Sequence, residues 1–205
     1  MAEKIRSFIA IELEDEHHRA LRDLQARFQR ELAATKNAGS LMARNVRWVA
    51  PENIHLTLKF FGDVDMAAMP ALQRAVADAC VGVAPFSLRI AGAGAFPNTQ
   101  RPNVIWVGVE GEVERAAQLT RRIDDACAAL GFAREERPFS PHLTLGRVKR
   151  DASPAARRAI GEMIVNAAIG ELGQLHVERI SVMKSELQPS GSVYTRLTTV
   201  ELAGK

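Results

Sequence analysis

The tetrapeptide HLTL occurs twice in this chain, at 55–58 within PENIHLTLKFFGDV and at 142–145 within RPFSPHLTLGRVKR. Strand alternation sends Leu56 and Leu58 to one face and His55 and Thr57 to the other, and the second copy repeats this with Leu143 and Leu145 against His142 and Thr144. The leucines ask for a covering layer of helices. Folding requires only that leucine parity, so a histidine in both copies needs another reason.

The surroundings of the two words repeat as well. Apolar alternation over Ile5–Leu13 predicts a strand, and Leu21, Leu24, Phe28 and Leu32 at helical spacing predict a helix over Glu14–Ala34. A polar loop is expected at Thr35–Asn45, followed by a strand at Val46–Val49, the first HLTL strand, a helix over Met66–Val81 and a strand at Phe86–Ala93. The second half starts again with the strand VIWVGVE from Val104, a helix over Glu112–Leu130 closed by Gly131, and the second HLTL strand. A helix then begins at Ser153-Pro154, an N-cap followed by proline, and strands at Gln174–Leu187 and Val193–Leu202, turned by QPSGS, finish the chain.

The order strand, helix, HLTL strand, helix, strand is thus written twice, which predicts an α+β fold. The expectation is a single bilobal domain over 1–205, its halves roughly 1–98 and 99–205 and related by a pseudo-twofold axis. Each lobe would be a mainly antiparallel sheet with helices on its outer face, leaving a cleft between the two.

A composition of 47% hydrophobic and 25% charged residues is that of a soluble globular protein and excludes disordered and fibrous classes. No apolar run reaches the roughly 18 residues needed to span a bilayer, and MAEKIRSFIAIEL reads as a strand rather than a signal peptide. Cys80 and Cys127 lie in helical patterns without CxxC spacing, as buried thiols of a cytoplasmic protein do. A net charge of +3 permits an anionic partner without demanding one; Arg44, Arg47 and Lys59 flank the first word, and Arg137, Arg147, Lys149 and Arg150 the second. GAGAF at 92–96 fails as a phosphate loop, because no helix start follows it and Pro97 intervenes.

If the polar faces of the two strands meet, two imidazoles and two hydroxyls converge. One imidazole can donate a proton while the other accepts one, which is what displacement at phosphorus requires: the attacking water loses a proton and the departing ribose oxygen gains one. The threonine hydroxyls can hydrogen-bond the non-bridging oxygens. Metal binding would need carboxylate or cysteine ligands nearby, whereas the neighbours are threonine and leucine, so no metal and no other cofactor is expected. A serine hydrolase is excluded by the lack of a GxSxG elbow. His17, His18 and His176 lack the HxT setting and read as structural, as does Tyr194.

The two motifs, together with RSFIAIEL near the N-terminus and SELQPSGSVYTRL near the C-terminus, resemble the 2H phosphoesterase superfamily, most closely its bacterial RNA 2′,3′-cyclic phosphodiesterases, also called 2′-5′ RNA ligases. The resemblance implies a monomer that opens a terminal 2′,3′-cyclic phosphate on RNA to leave a 2′-phosphate. It makes His55 the proton donor and His142 the acceptor, with Thr57 and Thr144 holding the phosphate. It also implies substrate contacts at Phe60 and Arg147, suited to base stacking and phosphate attraction. Strict alternation objects, since it turns Phe60 and Arg147 away from the histidines and puts Lys59 and Phe61 on their face. A bulge at Gly146 would turn Arg147 inward. An RNA-binding protein without turnover, and a reversible ligase, are the alternative readings.

Overall fold

The computed structural model describes residues 3–34, 44–188 and 191–204. Among the described residues nine strands and four helices follow one another as β1 (Lys4–Ile11), α1 (Asp15–Ala33), β2 (Val46–Trp48), β3 (Leu56–Asp65), α2 (Met69–Cys80), β4 (Phe86–Phe96), β5 (Val104–Gly111), α3 (Val113–Ala128), β6 (His142–Val148), α4 (Pro154–Asn166), β7 (Glu171–Val177), β8 (Arg179–Gln188) and β9 (Gly191–Glu201). The loop expected at Thr35–Asn45 falls almost wholly outside the described residues. No helix among those described is long and apolar enough to cross a membrane.

The strands run in the order β7-β4-β5-β6-β3-β1-β8-β9, with β2 attached to β6, and every pairing is antiparallel. The order divides into two four-stranded ladders, β3-β1-β8-β9 and β7-β4-β5-β6, because β3 and β6 are joined only where Leu56 pairs with Leu143. This is the expected bilobal α+β architecture. Each lobe takes strands from both halves of the chain: β4 pairs with β5, and β8 pairs with β1. The last strand of each repeat is thus exchanged into the other lobe.

The helices cross over too. α1 and α4 cover the lobe containing β6, where the Gln25 amide donates to the carbonyls of Val49 (2.8 Å) and Leu145 (2.9 Å). α2 and α3 cover the lobe containing β3. Their buried stripes, Leu72 and Val76 on α2 and Leu119 and Ile123 on α3, pack on the leucine face of the sheet. α4 starts as its sequence requires, with the Ser153 hydroxyl accepting from the Ala156 N–H at 3.2 Å and Pro154 in the first turn.

Two strand expectations need correction. The run Gln174–Leu187 is two strands, β7 and β8, parted at Glu178, where successive exposed residues (Glu178 and Arg179) break the alternation and the chain passes from one lobe to the other. GAGAF belongs to β4 rather than to a loop after it. A register shift between Ala91 and Ala93, with Gly92 at φ +68°, absorbs one residue and lets the strand continue to Phe96.

Candidate active site

The pairing of Leu56 with Leu143 joins the second residue of one HLTL to the second residue of the other. Both leucines are buried in the core, so the flanking His55, Thr57, His142 and Thr144 gather on the opposite face at the junction of the lobes. Thr57 is exposed and the other three are partly buried. The first motif is held in place by Asn53, whose side-chain amide donates to the Ser192 carbonyl at 2.8 Å.

Each imidazole is fixed in the same way. Nδ1 of His55 lies 2.9 Å from the Asn53 carbonyl, and Nδ1 of His142 lies 2.7 Å from the Ser140 carbonyl. A carbonyl can only accept, so Nδ1 carries the hydrogen in both rings and Nε2 is left as the atom that can exchange a proton. The surroundings differ. Phe8 stacks on His55 at 4.7 Å and 22°, and Tyr194 meets its edge at 5.3 Å and 83°. His142 has Phe96 edge-on at 4.8 Å and Trp106 tilted at 6.5 Å. The Trp106 indole lies flat over Gly94, where a Cβ would come within 2.2 Å of it.

Burial among these rings lowers the pKa of His55 from the ordinary 6.5, and the hydrogen bond to Asn53 and the charge of Glu12 offset this in part. Burial tends to raise the Glu12 carboxyl; hydrogen bonds from Arg196 and Ser181 outweigh it and hold Glu12 below the usual carboxylate value. Arg196 grips both oxygens of Glu12, at 2.8 and 2.7 Å.

Strict alternation gives the wrong faces beyond the threonines. On β3 the register passes from Ala10–Thr57 to Ile9–Lys59, leaving Leu58 as the extra residue of a bulge. Lys59 therefore turns into the core, 6% exposed, where its ammonium donates to the Asp124 carboxylate and to the Ala133 carbonyl at 2.8 Å. Phe61 packs on Phe132 at 5.1 Å on the same side. Phe60, 50% exposed, comes out opposite Phe8 with the Arg6 guanidinium 4.7 Å from its ring centre. On β6 the register passes from Trp106–Thr144 to Ile105–Gly146, so Leu145 is the extra residue and Arg147 emerges exposed, on the face of Thr144.

The bulge beside Gly146 was expected from its glycine; its counterpart at Leu58 has no such marker. Tyr194, structural by its sequence setting, packs against His55, and Phe8, Phe96 and Trp106 join the site without any motif that marks them. Their signal is weak, because an aromatic residue in a strand is ordinary. His17 and His176 lie elsewhere, bound to the Gln174 carbonyl (2.9 Å) and the Ser87 hydroxyl (3.0 Å). A cavity of about 870 Å³ between the β4–β5 loop and α4 includes neither histidine of the repeated words. A group of carboxylates and imidazole with metal-ligand spacing, Glu14, Glu16 and His17, also excludes both.

The family model of the 2′-5′ RNA ligase superfamily matches residues 42–188, a span that contains both HLTL motifs. The chain belongs to that superfamily. An RNA 2′,3′-cyclic phosphodiesterase of Methanothermobacter thermautotrophicus is 39% identical over 199 residues, covering 97% of this chain and 100% of its relative. One of Thermotoga maritima is 30% identical over 201 residues, covering 98% and 97%. Among solved structures, a Thermus thermophilus protein superposes with a TM-score of 0.74 at 27% identity, covering 98% of this chain and 100% of that one. E. coli LigT complexed with 3′-AMP gives 0.73 at 24% identity over 98% and 99%, a likeness of fold. The 2′-5′ RNA ligase superfamily resemblance read from the motifs and the bilobal fold are thereby established together.

Proposed function

We propose that this protein hydrolyses 2′,3′-cyclic phosphate ends of RNA to 2′-phosphates, as a monomer and without a metal ion, with His55 and His142 as general acid and base. The observation that carries the reading is the duplicated histidine geometry: two imidazoles on strands paired at Leu56 and Leu143, each with Nδ1 tied to a carbonyl two residues before it and Nε2 free to move a proton. The family and the names of its relatives support the reaction class.

In the proposed step His142 Nε2 takes a proton from water as its oxygen bonds to phosphorus. The P–O3′ bond breaks on the opposite side, and His55 Nε2 protonates the departing oxygen. Thr57 and Thr144 hydrogen-bond the non-bridging oxygens, Arg147 attracts the phosphate and Phe60 stacks on the terminal base. Burial disfavours protonated His55, whereas a bound anionic phosphate favours it, so substrate binding raises the share of His55 that carries the acid proton. Among the described residues, the group with metal-ligand spacing, Glu14, Glu16 and His17, includes neither imidazole. Binding without turnover gives no reason for two imidazoles fixed alike.

The test is an oligonucleotide ending in a 2′,3′-cyclic phosphate, with 2′- and 3′-phosphate products resolved. His55→Ala and His142→Ala are each expected to lose about 10² to 10⁴ in rate with the circular dichroism spectrum retained, and EDTA is expected to leave wild-type activity unchanged. Near wild-type turnover in either folded variant, or loss of activity in EDTA, overturns the mechanism.

A further inference from the structure

Residues directly opposite on neighbouring strands interact, and like charges there are destabilising. Elsewhere in this sheet the ladder obeys that rule: Arg89 stands opposite Glu110 and the two form an ion pair at 2.5 Å. Between β2 and β6 it is broken, because Arg47 stands opposite Arg147. Both arginines are exposed, and neither has a hydrogen-bond or ion-pair partner among the described residues. Their neighbours settle the face. Val46 and Val148 are buried in the core, and Trp48 packs toward Phe28 of α1, so Arg47 and Arg147 project from the other side, the side of Thr144.

Two unpaired guanidiniums set side by side are a site for an anion, and the planar fork of arginine suits phosphate oxygens. Their position says which phosphate. Thr144 pairs with Trp106 and Arg147 with Val104, two residues along β5, a displacement of about 7 Å; Arg47 lies one strand further out, about 5 Å more. The pair is therefore displaced from the histidines, with Arg47 the farther of the two.

Resting on the cyclic-phosphodiesterase reading above, we propose that Arg47 holds the internucleotide phosphate that precedes the reacting end, with Arg147 standing between that phosphate and the reacting one, so that the enzyme takes a polynucleotide end in preference to a cyclic mononucleotide. A mononucleotide has only the reacting phosphate and leaves the outer guanidinium of Arg47 without a partner.

The experiment compares wild type and Arg47→Ala on three substrates: a nucleoside 2′,3′-cyclic monophosphate, a diribonucleotide with a cyclic end, and the same dinucleotide carrying a neutral methylphosphonate between its nucleosides. In Arg47→Ala the ratio of kcat/KM for the dinucleotide to that for the mononucleotide is expected to fall by about 10-fold or more, the scale of a charge-assisted contact. The methylphosphonate is expected to lose the same preference in wild type and to lose nothing further in the variant. The plot of log KM against log salt should become shallower by about 0.7 for one lost phosphate contact. The thermal midpoint should not fall, since a like-charged pair has been relieved.

An unchanged substrate ratio, or an equal further loss on the methylphosphonate, overturns this role of Arg47. If wild type opens none of the three, the hydrolytic reading has failed by itself, and fluorescence anisotropy with a labelled oligoribonucleotide decides the role of Arg47. Salt-sensitive binding weakened by Arg47→Ala supports it, and binding indifferent to the substitution refutes it.

Discussion

The bulge at Leu58 makes a quantitative prediction through Lys59. Strict alternation would place this lysine beside the histidines, where its loss would slow the reaction and leave stability almost untouched. The observed register instead buries it against Asp124 of α3, with side-chain exposures of 5% and 14%. Lys59→Met keeps the length and apolar stem of the side chain but leaves the Asp124 carboxylate without its cation. Breaking one partner from a buried pair costs about 3–5 kcal/mol. Asp124 keeps the Glu135 N–H at 3.2 Å and the exposed Arg134 at 3.7 Å, so the lower end of that range applies, about 3 kcal/mol.

For a chain of this size each kcal/mol moves the thermal midpoint by about 2–4 °C, so a drop of roughly 6–12 °C is expected. The double variant Lys59→Met/Asp124→Leu removes both charges and should recover most of the loss, since replacing a buried pair by apolar groups is often neutral. Urea denaturation of wild type, both single variants and the double variant gives the coupling directly. A Lys59→Met variant within about 1 kcal/mol of wild type, but slowed more than about tenfold in turnover, would refute the inverted register and restore the lysine to the cleft.

Three further outcomes follow from the site. The pKa of His55 lies below its unfolded value near 6.5, so between the two the unfolded chain binds more protons than the folded one. The stability this group contributes is complete above about pH 6.5 and is lost as pH falls through the folded value, so urea titrations from pH 7 to 5 should show a smaller loss in His55→Gln than in wild type. Gly94→Ala puts a Cβ within 2.2 Å of the Trp106 indole and should displace that ring from His142, visible as altered tryptophan fluorescence with reduced turnover; unchanged fluorescence and rate would refute the contact. Gly161→Ala points a Cβ at the Thr99 carbonyl, 2.0 Å away, and overpacking of this kind should destabilise by about 1–3 kcal/mol in urea, which a neutral result would contradict.

Local periodicity carried most of the fold. The helix stripes, the Ser153-Pro154 start and the leucine parity of both words are properties of a few consecutive residues, and each is found where the pattern puts it. Partner choice is not local. That β4 leaves the lobe of β3 to pair with β5, and that β8 returns to β1, depends on which unsatisfied edges meet in space, and alternation along one strand contains no information about that. The bulges have the same origin, since a register shift is a relation between two strands. Gly146 hinted at one of them, while Leu58-Lys59 looks like uninterrupted strand.

Those paired bulges also account for how two identical words come to sit in different settings. Each falls three residues past its histidine, so the fourth position returns to the core and the fifth to the cleft: Lys59 and Phe60 in one lobe, Gly146 and Arg147 in the other. The backbone device is duplicated and the residues on it have diverged. A buried lysine anchors the first copy to α3, and the exposed phenylalanine beside it is backed by Phe8 and Arg6. In the second copy glycine lets Val46 and Trp48 of β2 close over the strand, where a Cβ would approach Val46 to 2.7 Å, and this brings Arg47 against Arg147. An aromatic surface on one side of the histidines and a double cation on the other follow from the same bulge, because the fifth position is the first beyond each HxT that faces the cleft again. The two-residue alternation that makes HLTL amphipathic could not have delivered either without that extra residue.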